Sequence, residues 1–261
     1  MLVLANGSLS ETIGLSPPYS LPVNNLRTVS DTKRDFYTHH TRPINSIYQR
    51  VVEELMVEMH LLSVNVDFRY DPIYALGVVT SFERFMQGYR PERDKHSIFD
   101  ALCRAIGEDP QKYQQDAERL KSLANRLPGQ QLVDWISSPT PVDGAIDIQE
   151  SLSAIALKEQ FKYSRLFGIG LFTLVELAAP ELVKDEKQRN QALKQICDGL
   201  HLPADKLQKD LDLYRSNLEK MAQVQIAIED ALKADRKKRE QRAQDKGVVA
   251  ASPKASDTAQ D

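Results

Sequence analysis

Residues 41–92 read TRPINSIYQRVVEELMVEMHLLSVNVDFRYDPIYALGVVTSFERFMQGYRPE, and this stretch decides the fold because two helical periodicities follow each other with only a short polar break. In the first half, apolar side chains recur at steps of three or four residues, the spacing that lines one face of an α-helix. These residues are Ile44, Ile47, Val51, Leu55, Met59 and Leu62. We predict a helix with Pro43 in its first turn and an end near Val64, with this face buried.

The second half opens with a strong helix-start signal. Asp71 can cap a helix with its carboxylate, and Pro72 fits the first helical position, where no N–H group is needed. Apolar positions at helical spacing continue to Met86, and Gly88 suits the left-handed conformation that often ends a helix. We therefore predict a second helix directly after the first.

The same signals recur downstream. Gly107 is predicted to close a helix, and Asp109 with Pro110 to open another that runs to about Arg126. The proline-rich stretch SSPTPVDG at residues 137–144 is a loop and a candidate hinge between two helical subdomains.

After this loop the chain is again helical. We predict helices over residues 147–164 and 185–199, with Gly168 and Gly170 interrupting the helical pattern before LFTLVELAAP. These glycines mark either a hinge or a close crossing of two helices. Because no strand-like alternation of comparable strength occurs, the predicted fold class is all-α, a helical bundle-like body.

The last helix has a heptad-like seam of apolar residues. After Pro203 and Asp205, steps of four and three connect Leu207, Leu211, Tyr214, Leu218, Met221, Gln225, Ile228 and Leu232. Continued to Lys246, this helix would have ~40 residues and a length of ~60 Å. The seam either packs back on the body or binds another protein, and the length favours projection.

These patterns divide the 261-residue chain, which is 41% apolar, into four parts. They are a disordered N-terminal extension at 1–26, an all-helical domain at 27–203, a long C-terminal helix with coiled-coil character at 204–246 and a disordered tail at 247–261. The net charge of −3 provides no overall basic field, so nucleic acid is not an expected partner. The longest apolar run, residues 167–180, is too short to span a bilayer and contains Glu176, which predicts a soluble or peripheral protein.

No catalytic or metal-binding motif is present. Cys103 and Cys197 fit reduced core thiols, because both fall within helical patterns far apart in sequence. Four candidate metal ligands share one predicted helix, but a di-iron bundle requires Glu-x-x-His pairs and the chain has none. These four are Glu53, Glu54, Glu58 and His60. We predict no metal site and no cofactor.

Two segments closely resemble the thylakoid formation protein family, whose members are all-helical photosystem II biogenesis and repair factors of cyanobacteria and chloroplasts. They are residues 27–92 and the sequence FKYSRLFGIGLFTLVELA from Phe161 to Ala178. The resemblance covers about 27–246. It implies a non-enzymatic factor on the cytoplasmic side of the thylakoid membrane that associates with FtsH-type membrane proteases, with photosystem II assembly components as further candidate partners. It provides no catalytic residues.

Three surfaces are candidate binding sites. Within the family-like segment, Glu83, Arg84, Arg90 and Glu92 are predicted to form an exposed charged patch beside Tyr89, unless the arginines of this segment, such as Arg42 and Arg69, only pair at helix ends. The seam residues Leu211, Tyr214, Leu218, Met221, Gln225 and Ile228 are candidate partner contacts. The third surface is a basic run, which is either a solvated helix or a contact for an anionic lipid surface. Its residues are Lys233, Arg236, Lys237, Lys238, Arg239 and Arg242.

Two alternative functions remain open at this stage. A pigment- or small-ligand-binding bundle would use an aromatic pocket made by Phe161, Tyr163, Phe167, Phe172 and Trp135. An unrecognised enzyme would depend on His39, His40 or His60, although their spacing matches no known nucleophile and base.

Overall fold

The computed structural model describes residues 27–127, 129–138, 140, 142, 144–157 and 161–250. This part of the chain folds into helices and contains no strand, which confirms the all-α prediction. The helices are α1 (Val29–His39), α2 (Ser46–Ser63), α3 (Pro72–Phe85), α4 (Asp94–Ala105), α5 (Pro110–Arg126), α6 (Gln130–Ser137), α7 (Ile146–Leu157), α8 (Arg165–Ala178), α9 (Pro180–Lys184), α10 (Glu186–Leu200) and α11 (Ala204–Ala250). The predicted extension at 1–26 and most of the predicted tail, 251–261, lie outside the described residues.

Local capping explains where most helices begin. Asp71 and Asp109 both cap a helix that starts with proline, as predicted, and Asp185 caps α10. The prediction for α2 was wrong by three residues. Its cap is Asn45, whose side chain accepts a hydrogen bond from the Ile47 amide at 3.1 Å, so Pro43 lies outside the helix.

The buried face of α2 is also rotated from the predicted one. Leu55, Met59 and Leu62 are buried as expected, but Ile47 and Val51 are only half-buried. The next residues along the helix, Tyr48 and Val52, are buried in their place, and Met56 is buried beside Leu55. Ile47 and Val51 instead face a cavity described below.

The centre of the body is the crossing of α3 and α8. The predicted interruption at Gly168 and Gly170 is wrong, because α8 runs through both glycines without a break. The structure instead contains the predicted alternative, a close crossing of two helices. A Cβ atom on Gly77 would lie 1.7 Å from the Leu166 carbonyl oxygen, and one on Gly170 would lie 1.9 Å from the Ile73 carbonyl oxygen. Only glycine allows the two backbones to approach this closely.

Two short helices, α6 and α9, carried no prediction of their own. Helix α6 was missed because it is short and lies between prolines and glycines, which are typical of loops. It nevertheless has an apolar stripe whose residues are all buried, namely Leu132, Val133, Trp135 and Ile136. The Trp135 indole Nε1 donates a hydrogen bond to the Thr140 carbonyl at 2.8 Å, which fixes the chain just after α6. Helix α7 ends at Leu157, earlier than predicted, and residues 161–164 are not helical.

Helix α11 is longer than predicted and has two different halves. It contains 47 residues, a length of about 70 Å, and continues past Lys246 through Gly247. Its first turns are part of the core, since Leu207, Leu211 and Tyr214 are nearly fully buried. From 229 to 241 every side chain is exposed. The seam therefore packs on the body at its start and projects at its end.

The two cysteines are free and buried, as predicted. Burial raises the pKa of the Cys197 thiol to about 11 and that of Cys103 further, so neither forms a reactive thiolate at neutral pH. In the part of the chain that the structure describes, no helix has the length and apolar character needed to cross a bilayer.

The buried cap of α3 predicts an unusual pH dependence. Burial raises the pKa of Asp71 to about 7, while its carboxylate accepts a hydrogen bond from the Tyr74 amide at 2.9 Å. Because the folded-state pKa lies above the unfolded value, stability is lost as pH rises from about 4 to 7. Asp71→Asn keeps a capping oxygen and removes the charge, so we expect it to be more stable than the wild type by about 1–3 kcal/mol at pH 8 but not at pH 4.5.

Urea unfolding at both pH values measures this difference. The matched control is Asp109→Asn, which changes the same cap-and-proline motif at an exposed position. An Asp71→Asn variant whose stability relative to wild type does not change between the two pH values would contradict the prediction.

Candidate functional site

A cavity of about 580 Å³ lies between α2, α3, α8 and α11. Its apolar wall contains residues from all four helices. They are Ile47, Val51 and Leu55 of α2, Phe85 of α3, Leu166 and Ile169 of α8, and Met221 of α11. The half-buried state of Ile47 and Val51 thus has a physical reason, because these side chains face an open space rather than another helix.

Charged pairs stand at the rim of this cavity. The Arg165 guanidinium donates to Glu58 Oε2 from Nη2 at 2.5 Å and from Nε at 3.2 Å. Arg50 and Glu54 form a second pair at 3.0 Å on the exposed side of α2. Each carboxylate therefore has its own guanidinium partner.

Several polar side chains of the cavity have no partner in the region that the structure describes, and Ser81 and Lys220 are among them. Ser81 is buried, and its Oγ has no hydrogen-bond partner among the described residues. Lys220, on the α11 side, forms no ion pair or hydrogen bond within the described part of the chain. The cavity thus combines an apolar wall with an unused hydroxyl and an unused ammonium group.

Helix α11 is fastened to the body on both sides of this cavity. The Tyr214 ring of α11 packs edge-on against Phe85 of α3 with the centroids 5.6 Å apart, beside the ion pair that Arg84 of α3 forms with Glu176 of α8. Burial raises the pKa of Tyr214 to about 12. Farther along α11, the Gln225 amide donates a hydrogen bond to the Gln87 carbonyl. That carbonyl also accepts from the Tyr48 hydroxyl at 3.1 Å, so one acceptor joins α2 and α11.

The structure does not bring the predicted charged patch together. Tyr89 is buried, with its ring 5.1 Å from that of Tyr48, and Arg84 points toward Glu176. Glu83 pairs with Lys121 at 3.2 Å on another side of α3. Arg90 and Glu92 remain exposed, with their charged groups 3.7 Å apart. The prediction failed because the turn after α3 directs neighbouring residues in sequence to different sides of the body.

The alternative prediction, that Arg42 and Arg69 form pairs at helix ends, holds for Arg42 only. Arg42 binds the buried Asp94 carboxylate, at the start of α4, at 2.9 Å. Arg69 instead donates to the carbonyl oxygens of Val66 and Phe68, at 2.8 and 2.7 Å.

The seam residues divide into two groups. Leu211 and Tyr214 are core residues, so their prediction as contacts for another protein is wrong. Leu218, Met221, Gln225 and Ile228 are half-buried along the body, and Leu232 is 65% exposed. The seam is therefore fully exposed only after Ile228.

Comparison with known proteins identifies the family. The family model described as thylakoid formation protein matches residues 28–243, which is most of the chain. The chain belongs to the thylakoid formation protein family. A curated relative named Protein Thf1, from Nostoc punctiforme, is 63% identical over 235 residues, covering 90% of this chain and 100% of the relative.

A second thylakoid formation protein, Protein Thf1 of Trichormus variabilis, is 65% identical over 228 residues, covering 87% of this chain and 98% of the relative. Among solved structures, that of Psb29 at 1.55 Å is 45% identical with a TM-score of 0.63. The match covers 75% of this chain and 98% of the Psb29 chain. The predicted family resemblance is therefore confirmed.

In this thylakoid formation protein, the rings predicted to line a pigment pocket belong to the core. Phe161 and Phe167 pack edge to face at 5.0 Å, and Tyr163 lies 6.4 Å from Phe167. Phe172 and Trp135 are buried. None of the five lines the cavity between α2 and α11. Tyr163 also lines a separate surface cleft with residues of α2, whereas the other four rings pack in or against the core.

Two of the three candidate histidines hold α1 in place. His40 Nδ1 lies 2.9 Å from Ser97 Oγ of α4, and His60 Nδ1 lies 2.9 Å from Thr32 Oγ1 of α1. Burial lowers the pKa of both rings. His39 is exposed at the end of α1. None of the three lines the cavity.

The acidic residues considered as metal ligands are occupied by other partners. Glu53 pairs with Lys33 at 2.8 Å, Glu54 with Arg50, and Glu58 with Arg165. Within the described ranges no group of three or more His, Cys, Asp or Glu side chains has an arrangement that could hold a metal ion.

Proposed function

We propose that this chain is a non-enzymatic factor for thylakoid biogenesis and for photosystem II assembly and repair. In this proposal it binds FtsH-type proteases at the cytoplasmic side of the thylakoid membrane through the far part of α11. Membership of a family named for thylakoid formation supports the setting. The protease as partner is inferred from the family resemblance and from the arm described next.

The observation that carries the proposal is the projecting half of α11. Residues 229–241 are exposed on all sides, and the apolar seam continues into this region from the half-buried Ile228 to Leu232, which is 65% exposed. A helix with an exposed apolar stripe needs a partner to bury it. Ile228 and Leu232 lie four residues apart and therefore on one face, which suits a contact with a helix of another protein.

The basic end of α11 is a weaker candidate contact. Lys233, Arg236 and Arg239 each pair with an acidic residue of the same helix, at 3.8, 3.0 and 2.9 Å. Lys237 and Lys238 are left without such a partner in the described region, and the side chain of Arg242 lies outside it. Two free ammonium groups would contribute about 1 kcal/mol each to contact with an anionic membrane surface. They can support membrane attachment but cannot replace a protein partner.

Affinity purification from cyanobacterial photosynthetic membranes tests the proposal. We expect the full chain to recover FtsH-type proteases, and a chain ending at Gln225 to recover at least tenfold less. The double variant Ile228→Asp and Leu232→Asp should lose the association as well, because two charges on the exposed seam prevent its burial. Unfolding midpoints should stay near that of the wild type, since neither the half-buried Ile228 nor the exposed Leu232 belongs to the buried core.

Leu213→Asp is the matched control. Leu213 is 47% exposed on the same helix but lies outside the seam, so this variant should recover the proteases normally. Protease recovery that survives loss of everything after Gln225 would exclude the arm as the binding surface. Recovery that falls equally in all variants would indicate a folding defect rather than a lost contact.

A further inference from the structure

The cavity between α2 and α11 is a long slot rather than a round pocket. The part of α2 that lines it extends from Ser46 to Glu58, a distance of ~18 Å at the helical rise. Helix α11 runs antiparallel to α2, because Leu207 lies beside Gly168 near the start of α8 whereas Gln225 reaches the first turn of α2. An apolar space of this shape suits an extended chain better than a compact ring system.

The charges at the slot are unequal at its two ends. At the Glu58 end, Arg165 and Glu58 neutralise each other. At the opposite end, Arg50 is paired with Glu54, and Lys220 has no partner in the described part of the chain. This end also contains the N-terminus of α2 at Ser46, whose helix dipole favours negative charge. One uncompensated positive charge therefore remains at the Ser46 end.

The middle of the slot contains a further unused group. Ser81 is 3% exposed, and its Oγ has no hydrogen-bond partner in the described structure, although a serine within a helix can bond to the preceding turn. A buried hydroxyl without a partner costs free energy unless a ligand or water satisfies it. Its position beside the apolar wall fits a ligand that carries an occasional polar atom along its chain.

We propose that this slot binds a single-chain amphiphile with an anionic head group. The apolar chain would lie along Val51, Leu55 and Ile169, and the carboxylate, phosphate or sulfate head would lie between Lys220 and the start of α2. The cavity volume of about 580 Å³ is within the range of small-molecule sites. The amphiphile is either free in solution or an acyl chain of an anionic membrane lipid, since both present the same chemistry.

Binding in the slot would couple to the position of α11. The residues Tyr214, Asn217 and Met221 form the α11 wall, so the site is complete only while α11 lies against the body. A ligand that binds only this arrangement stabilises it by mass action. The ligand would contact the body-facing side of α11 and not its projecting end. Loss of protease binding would therefore leave ligand binding in the slot unaffected.

Isothermal titration of the full-length protein with dodecanoate, below its micelle concentration, tests the proposal. We expect one site per chain and a rise in Tm of about 3 °C or more at saturation. Val51→Trp fills the slot and should weaken binding at least tenfold. Lys220→Gln, at an exposed position, should weaken dodecanoate binding about fivefold, as expected for one exposed charge pair, and leave binding of the neutral dodecanol unchanged.

Vesicles distinguish the two sources of the amphiphile. Phosphatidylcholine vesicles with and without phosphatidylglycerol are compared for wild type and Val51→Trp. Binding to the anionic vesicles that Val51→Trp abolishes assigns the slot to a membrane lipid chain, whereas dodecanoate binding without such vesicle binding assigns it to a free amphiphile. Dodecanoate binding that is absent, or that Val51→Trp and Lys220→Gln leave unchanged while both variants remain folded, overturns the proposal.

Discussion

Gly77→Ala is expected to destabilise the protein by about 3 kcal/mol or more. The added methyl group would lie 1.7 Å from the Leu166 carbonyl oxygen and 2.7 Å from its carbonyl carbon, and both atoms belong to the backbone of α8. A backbone cannot turn aside as a side chain can, so α3 and α8 must separate. This separation would loosen the apolar contacts of the whole crossing, which lies at the centre of the core.

Urea unfolding followed by circular dichroism measures the loss, and Gly168→Ala is the matched control. A Cβ atom at Gly168 would meet only side-chain atoms, Tyr163 Oη at 2.5 Å and Leu207 Cδ1 at 2.8 Å. Alanine also gains about 1 kcal/mol over glycine within a helix. Gly168→Ala should therefore lose at least about 2 kcal/mol less than Gly77→Ala. Equal stabilities of the two variants would show that the crossing can relax, contrary to this expectation.

A chain that ends at Leu202 is expected not to fold to the native state. It would lack Leu207, Leu211 and Tyr214, which are 1%, 1% and 2% exposed in the full chain. The loss of each large buried side chain costs about 2–5 kcal/mol, and three together approach the whole stability of a typical domain, roughly 5–15 kcal/mol. Removal of these side chains also opens the walls formed by α3 and α8.

A chain ending at Gln225 is the control, because it keeps these contacts and removes only the projecting half. We expect cooperative urea unfolding and low binding of a hydrophobic dye for the longer chain, and neither for the shorter one. A cooperative transition near the wild-type midpoint in the chain ending at Leu202 would show that α11 is an appendage. Partner-binding experiments on the shorter chain would then become interpretable.

Helix starts were predictable because their causes are local. The cap and the following proline at Asp71 and Asp109 act within one helical turn, so the same residues predict and form the helix end. Gly170 shows the opposite case. A glycine within a helical pattern fits a break and a close crossing equally well, and the decision depends on Gly77 and Ile73, almost 100 residues away in sequence.

The candidate site was predictable only in part, because apolar periodicity does not say what a face contacts. Ile47 and Val51 have the spacing of core residues, yet they face the slot. The seam of α11 is continuous in sequence, but it changes from core to exposed surface between Tyr214 and Leu232. The sequence did contain one sign of the slot, which is the width of the apolar face of α2. This face includes Tyr48 and Val52 in addition to Ile47 and Val51, and it is wider than one neighbouring helix can cover.

Because α11 is one unbroken helix from the core to its far end, it can act as a mechanical lever. Nearly half of its length, residues 204–225, lies against the body, and residues 229–241 are exposed, so a force at the far end exerts a torque on its fastenings. These fastenings are the Tyr214 ring against Phe85 and the Gln225 amide on the Gln87 carbonyl, on either side of the slot. A partner that pulls on the projecting part of α11 would therefore first displace the α11 wall of the slot. The width of the slot would then change with the applied force.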